Sequence, residues 1–294
     1  MDRTSRRRWQ EKGVCVPGKG NKVENWNESY EQMGTTYSEA MDTPANLVNK
    51  LQFEFVLEDI ERFLPAPRQG KILECGCGGA RTSLYLARRG FDVSCSDNAP
   101  EAIRLAEDNF AACNVRGTFL MDDLLNSKIP AGSFECVMSF GLLEHFEELQ
   151  PIVACITKLV KPGGIQIHCI IPKKVSTRTL MNLALYPFVF LNNLLHGRID
   201  RIFIASYRDF PHYENAFTAK EYCRAFQREG NTILRCEAGG ILLPFFALPM
   251  GIGNMLVKAF SETLAKLVRM TDRTESRFMH LMAPTFYIVC RKQG

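Results

Sequence analysis

The sequence predicts an α/β fold with a doubly wound, mostly parallel sheet of seven strands and helical cap insertions. Short apolar runs alternate with helical patterns, the first run ends in a glycine-rich turn, and the first three runs end in acids. Alternation of strand and helix gives right-handed parallel crossovers. The strands are predicted over 71–74, 91–96, 118–121, 135–140, 165–171, 231–237 and 285–291.

The helices follow from apolar spacing and from start and stop signals. Leu47, Leu51 and Phe55 recur at helical spacing, and Pro65 ends that leading helix. Thr218 and Glu221 stand at the spacing of a capping box. The helices are predicted over 46–64, 81–89, 100–114, 151–159 and 218–229, and a turn over 161–164.

The turn after the first strand is a predicted ligand-binding loop. Gly76, Gly78 and Gly79 leave backbone amides open to a ligand, and the next helix directs its positive end there. A dinucleotide loop has the pattern G-x-G-x-x-G, but Arg81 occupies the third glycine position. Glu74 at the entry would repel a pyrophosphate. The loop therefore predicts a ligand without a diphosphate.

Acids that end the next two strands limit the chemical class of the ligand further. Asp97 ends the second strand and can accept both hydroxyls of a ribose. Asp122 and Asp123 end the third strand and can accept from an exocyclic amine such as that of adenine. Acids at three successive strand ends favour a cationic nucleoside without phosphates.

The ordered motifs Glu74-x-Gly76-x-Gly78, Asp97, Asp122-Asp123, 132–135 and 161–164 resemble those of class I S-adenosylmethionine-dependent methyltransferases of the small-molecule type. The resemblance covers 26–172 well and 217–290 loosely. It implies a Rossmann-like methyltransferase sheet with an antiparallel final strand between its neighbours, and S-adenosyl-L-methionine as cofactor.

The resemblance also implies roles for individual residues. Gly76 and Gly78 would carry the methionine part of the cofactor, Asp97 the ribose, and Asp123 or its neighbour Asp122 the adenine. Ala80 replaces a usual loop glycine. The full predicted cofactor set is Tyr37, Glu74, Gly76, Cys77, Gly78, Asp97, Asn98, Asp122, Asp123, Leu124, Ser139 and Phe140.

Three residues are candidates for the catalytic, acceptor side of the site. His145 follows the fourth strand, and His212 and Tyr213 precede the helix at 218. A hydroxyl acceptor needs a base, whereas a carbon or amine acceptor may not, so O-, C- and N-methylation stay open. Packing beneath the next helix, or in a loop, is the alternative for each residue.

Two stretches without charge, 179–195 and 239–257, interrupt the fold and predict a lipophilic or aromatic small-molecule acceptor. They form a lid, a dimer surface or a peripheral membrane contact. The predicted division is a basic arm at 1–25, a cofactor-binding core at 26–172, a cap insertion at 173–217, and a C-terminal part at 218–294 with a second insertion at 239–270.

Composition and charge limit the partners, metal sites and location that the sequence predicts. A net charge of +4 without a basic stripe predicts no nucleic-acid partner, and 11 cysteines without a Cys-x-x-Cys pair predict free thiols, no metal and a cytoplasmic location. A nicotinamide-dependent oxidoreductase and a non-catalytic partner subunit of the same fold are the competing classes. Oligomeric state is not predicted.

Overall fold

The computed structural model describes residues 26, 27, 30, 37–195, 213–242 and 252–294. In these ranges one sheet has the order β3-β2-β1-β4-β5-β7-β6. Neighbours from β3 to β5 pair in parallel, and β7 is antiparallel to both β5 and β6. The strands are β1 Lys71–Cys75, β2 Asp92–Asp97, β3 Thr118–Met121, β4 Phe134–Phe140, β5 Val160–Ile170, β6 Asn231–Gly239 and β7 Thr285–Lys292. The predicted fold, including the antiparallel last strand, is confirmed.

The helices begin where the sequence supplies caps. Thr43 accepts from the Asn46 amide ahead of the first helix, and Thr218 with Glu221 forms the predicted capping box. Such caps stabilise a helix by about 1 kcal/mol. The helices are α1 Pro44–Phe63, α2 Arg81–Ala87, α3 Pro100–Ala112, α4 Leu149–Leu159, α5 Thr177–Leu195, α6 Ala219–Arg228, α7 Ile252–Thr271 and α8 Arg277–Met282.

The strand β5 begins earlier than predicted. Phe134 pairs with Val160, but two residues later Cys136 pairs with Ile165. The residues 161–164, predicted as a turn, therefore lie in an irregularity within the span of β5. Gly163 has φ +79°, a conformation that glycine adopts without strain.

Apolar side chains fill both faces of the sheet. One cluster joins α1, α2 and α3 to the sheet through residues such as Ile60 and Leu84. The other joins α4 and α6 through residues such as Ile152 and Phe226. A third, smaller cluster packs α1 against α7, including Leu51, which brings the second insertion beside the leading helix.

The first insertion forms a helix with an exposed apolar stripe. Leu183 and Leu195 of α5 are 72% and 74% exposed, and Leu180, Leu191 and Leu194 follow the same helical face. Within the described ranges, no helix combines the length and apolarity needed to cross a membrane. The predicted arm at 1–25 and parts of both insertions lie outside the described residues.

Candidate functional site

The glycine-rich loop between β1 and α2 is held open by glycine geometry. Gly76 and Gly78 have φ of +62° and +50°. A Cβ atom at Gly76 would lie 2.7 Å from Leu142, and one at Gly78 would lie 2.9 Å from the Tyr30 hydroxyl. A larger residue at either position would therefore meet both backbone strain and a steric clash.

Asp97 at the end of β2 is tied to this loop. Its Oδ2 accepts from the Gly78 amide and its Oδ1 from the Ala99 amide, both at 3.0 Å. Burial raises the pKa of the carboxyl, while these amides oppose that rise. The hydrogen bonds fix the carboxylate beside the loop that the sequence assigns to the cofactor.

Glu74 at the end of β1 faces the start of α2. Its Oε2 accepts from the Ser83 amide at 3.0 Å and from the Ser83 hydroxyl at 2.5 Å. Burial raises the pKa of the carboxyl to about 7, against the effect of these two hydrogen bonds and of Arg81. A carboxylate so desolvated is stabilised by any cation that enters beside it.

The two acids after β3 differ in their hydrogen bonding. Both oxygens of Asp123 are used within its own turn, accepting from the Leu125 amide and the Asn126 side chain. Asp122 accepts from the Lys128 amide through Oδ1, whereas its buried Oδ2 has no hydrogen-bond partner in the described part of the chain. A buried acceptor of this kind fits an amine donor of a ligand.

These groups surround one cavity of about 730 Å³ along the carboxyl edge of the sheet. The structure brings most of the predicted cofactor residues together around it. Those that line the cavity are Glu74, Gly76, Cys77, Gly78, Asp97, Asn98, Asp122, Asp123, Leu124 and Phe140. We call the part of the cavity at the ends of β1, β2 and β3 the nucleotide half.

Two predicted cofactor residues do not line the cavity, so their assignment to the cofactor stays a prediction. Tyr37 does not line the cavity: its ring stacks on Phe53 and its hydroxyl donates to Glu39. Ser139 is fully buried and bonds to His168 Nδ1 at 2.8 Å instead of lining the cavity. In a strand, successive side chains alternate between faces, and Ser139 faces away from the cavity that Phe140 lines.

Of the acceptor-side candidates, His145 lines the cavity. Its Nδ1–H donates to the Tyr213 carbonyl at 2.7 Å, which selects the ring tautomer. Burial lowers the pKa of His145, and carbonyls at Tyr213 and Gly141 oppose that shift. Tyr213 contributes its backbone to this contact, and its side chain is not part of the cavity lining. His212 lies outside the described residues.

Aromatic residues ahead of the first strand also line the cavity. Trp26 stacks on Tyr30 with ring centroids 6.1 Å apart and meets the His145 ring edge-on at 5.0 Å. Burial, followed by the charge of Asp97, raises the pKa of Tyr30. The aromatic pair therefore lies beside both the glycine loop and His145.

Sequence reasoning missed the other end of the cavity, which we call the acceptor half. It is lined by α1, by the ends of β5, β6 and β7, and by the last turn of α7. Its members are Val48, Asn49, Leu51, Gln52, Phe53, Phe55, Cys169, Ile171, Ala238, Gly239, Gly240, Val268, Asp272, Arg273, Thr285 and Tyr287. The apolar spacing of α1 predicted burial of Leu51 and Phe55, but no pattern indicated that they meet Asp272 across a cavity.

The sheet order, the glycine loop and the acids at three strand ends define a class of protein. The chain contains a domain with the fold of the class I S-adenosylmethionine-dependent methyltransferases. Residues 72–164 match the family model described as a methyltransferase domain.

Curated relatives of the chain carry the same kind of domain. A ubiquinone biosynthesis O-methyltransferase of Xanthomonas axonopodis pv. citri is 31% identical over 124 residues, which are 41% of this chain and 49% of that protein. The enzyme of the same description from Methylocella silvestris is 30% identical over 125 residues, 42% of this chain and 47% of that one. The chain thus spans about half the length of the curated relatives it matches.

Solved structures share the fold over most of the chain. A geranyl diphosphate C-methyltransferase from Streptomyces coelicolor A3(2) superposes with a TM-score of 0.54 at 11% identity, covering 92% of this chain and 98% of that one. An S-adenosylmethionine-dependent methyltransferase from Clostridium acetobutylicum has a TM-score of 0.51 at 11% identity, covering 84% and 92%. At such low identity the likeness is one of fold.

Proposed function

We propose that this protein transfers a methyl group from S-adenosyl-L-methionine to a small lipophilic or aromatic acceptor. The observation that carries the proposal is the single cavity described above. Three buried or half-buried carboxylates, at Glu74, Asp97 and Asp122, face its nucleotide half, and apolar side chains line much of the remainder. A charged, phosphate-free nucleoside fits the nucleotide half, and a hydrophobic acceptor fits the rest of the cavity.

The residues present fit the cofactor. The glycine loop lines the cavity where the methionine part would lie, and Asp97 is tied to that loop in a position suited to the ribose. Asp122, rather than Asp123, is our choice for the adenine amine, because Asp122 Oδ2 is a buried acceptor that its own turn does not satisfy. When bound, the cofactor would supply an already activated methyl group.

The protein's part in the reaction is alignment and exclusion of water. Leu142, Phe140 and Trp26 line the cavity with apolar surface. His145 can take up the proton of a hydroxyl acceptor, since its Nδ1–H is directed to a carbonyl and its lowered pKa favours the neutral ring. The O-methyltransferase names of the curated relatives support, for this chain, transfer to oxygen.

Isothermal titration calorimetry with S-adenosyl-L-methionine and with its demethylated product, S-adenosylhomocysteine, tests the proposal. We expect both to bind and NADH to show no binding. Mass spectrometry of ligands that co-purify with the protein then searches for the acceptor. Tight NADH binding with no S-adenosylhomocysteine binding would overturn the proposal in favour of an oxidoreductase.

A specific observation favours catalysis at a membrane surface. The α5 helix carries no charged residue from Thr179 to Leu195, and its stripe of leucines is exposed. A charge-free helix with exposed leucines can bury these side chains at the boundary of headgroups and acyl chains. We therefore infer that α5 gives the enzyme access to an acceptor dissolved in lipid.

Flotation with phosphatidylcholine–phosphatidylglycerol liposomes tests this second inference. The double variant Leu183→Glu and Leu194→Glu places two charges on the stripe and is expected to lose flotation. A matched control, Gln69→Glu and Gln227→Glu, adds the same charge at exposed positions elsewhere. Equal flotation of the two variants would exclude α5 as the contact.

A further inference from the structure

The acceptor half of the cavity contains one aspartate in otherwise mainly apolar surroundings. Asp272 follows α7 and lines the cavity together with Val268, Tyr287 and Thr285. We propose that Asp272, with the Thr285 hydroxyl, recognises a neutral hydroxyl group of the methyl acceptor. The proposal rests on the proposed function and adds to it the chemical class of the substrate's far end.

Geometry places the two oxygen-bearing side chains next to each other. Asp272 Oδ2 accepts from the Gly240 amide at 2.8 Å. A Cβ atom built on Gly239 would lie 2.8 Å from Thr285 Oγ1 and 3.9 Å from Asp272 Oδ2. Both oxygens therefore flank Gly239 on the wall of the cavity, where the ends of β6 and β7 meet.

Backbone amides and one hydroxyl stabilise the charge of Asp272 by donating hydrogen bonds to it. Within the described ranges its hydrogen bonds come from the amides of Gly240 and Ile241 and from the Thr271 hydroxyl. A carboxylate oxygen has room for more than one donor, so a donor on a ligand gains a charge-assisted hydrogen bond. Burial raises the pKa of Asp272 to about 6, which agrees with a carboxylate that is desolvated and still partly open to a donor.

The charges around Asp272 favour one kind of ligand donor. Arg273 also lines this half of the cavity, and its guanidinium bonds to Asp59 at 2.6 Å and to Glu237 at 2.9 Å. Because these carboxylates pair with the guanidinium, its charge is compensated, and a charged ligand group would have to lose its hydration in a wall that is mainly apolar. A neutral hydroxyl on a hydrophobic body avoids that cost.

The experiment compares two probes that differ in one donor. Protein saturated with S-adenosylhomocysteine is titrated with 4-nonylphenol and with 4-nonylanisole, its methyl ether. We expect the wild-type protein to bind the phenol about tenfold more tightly, the size of one retained hydrogen bond to a charged acceptor. In Asp272→Asn, one oxygen still serves Gly240 but the other becomes a donor, so the preference should fall below about twofold.

Controls separate this proposal from the proposed function and from misfolding. Asp108→Asn, an exposed substitution on α3, should keep the tenfold preference. Thr285→Val provides a second test if Asp272→Asn loses S-adenosylhomocysteine binding, and it should lower the preference several-fold. If Asp272→Asn or Thr285→Val still binds S-adenosylhomocysteine and keeps the wild-type preference for the phenol, the proposal is overturned. Equal binding of both probes by the wild type also overturns it. Failure of S-adenosylhomocysteine to bind wild-type protein instead overturns the proposed function.

Discussion

The two halves of the cavity are built in different ways. In the nucleotide half, each acid stands at or just after the carboxyl end of a strand and accepts hydrogen bonds from nearby turns, as Asp97 does from Gly78 and Ala99. In the acceptor half, the wall comes from α1, the ends of three strands and α7, which meet only in the folded chain. The first half is thus specified locally, and the second by packing.

The largest expected effect tests the local half. Asp97→Ala removes the carboxylate that both fixes Gly78 and is positioned for the ribose. We expect the Kd for S-adenosylhomocysteine to rise about 100-fold or more, since charged hydrogen bonds contribute about 1.5–3 kcal/mol each. Asp92→Ala, at the exposed start of the same strand, should leave the Kd unchanged. Calorimetry with an unaltered Kd for Asp97→Ala would remove the ribose assignment.

A second prediction concerns the boundary between the halves. His145→Ala should lower kcat by about 10²-fold or more if the acceptor is a hydroxyl, because general bases contribute at about that scale. Cofactor affinity should change little, because the imidazole donates to the Tyr213 carbonyl and is not assigned a contact with the cofactor. Methylation kinetics under saturating cofactor provide the measurement. An unchanged kcat would point to a carbon or amine acceptor.

A third prediction uses the buried charge of Glu74. Its pKa is raised to about 7, so the folded state resists ionisation and the carboxylate destabilises the fold as pH rises from about 4.5 to above 7. This cost is of the order of 3 kcal/mol and is absent at low pH. The stability of Glu74→Gln relative to wild type should therefore increase across that range in chemical denaturation.

The same residue should distinguish a sulfonium from a sulfide. A positive charge beside Glu74 favours its ionised form, so affinity for S-adenosyl-L-methionine relative to S-adenosylhomocysteine should improve as pH rises through about 7. In Glu74→Gln this pH dependence should flatten. If wild type and variant show parallel profiles, the sulfonium does not lie near this carboxylate.

The smallest expected effect lies in the glycine loop. Ala80 has φ +49°, a left-handed conformation that costs an alanine about 1 kcal/mol. Its methyl group is fully buried, and losing it costs about the same. Ala80→Gly should therefore change the free energy of unfolding by less than about 1 kcal/mol, as measured by urea denaturation. A large loss would mean that the methyl group organises the loop.

The contrast between the halves explains how much could be predicted from sequence. The order of strands and helices, the glycine loop and the acids that follow β1, β2 and β3 were visible because each is a local pattern. Tyr37 and Ser139 were assigned to the cofactor because the resemblance marks positions along the chain and not the direction of a side chain. In the structure the Tyr37 ring packs on Phe53, and strand alternation directs the Ser139 side chain to His168.

The acceptor half could not be predicted for a different reason. Asp272 and Thr285 reach the cavity because β7 returns antiparallel beside β5, and because α7 packs on α1. The resemblance implied the first of these contacts, but no sequence pattern indicated the second. The charge-free stretch 179–195 lies in α5, but it did not indicate which side chains would face an acceptor.

The place of β7 also bears on the order in which the chain folds. In the described ranges, the strand β6 is hydrogen-bonded in the sheet to β7 alone, and β7 joins it to β5. As the polypeptide leaves the ribosome, residues 231–239 therefore wait for residues 285–292 before they can join this sheet. The parallel strands that carry the glycine loop can assemble earlier, and the wall formed by β6 and β7 closes last.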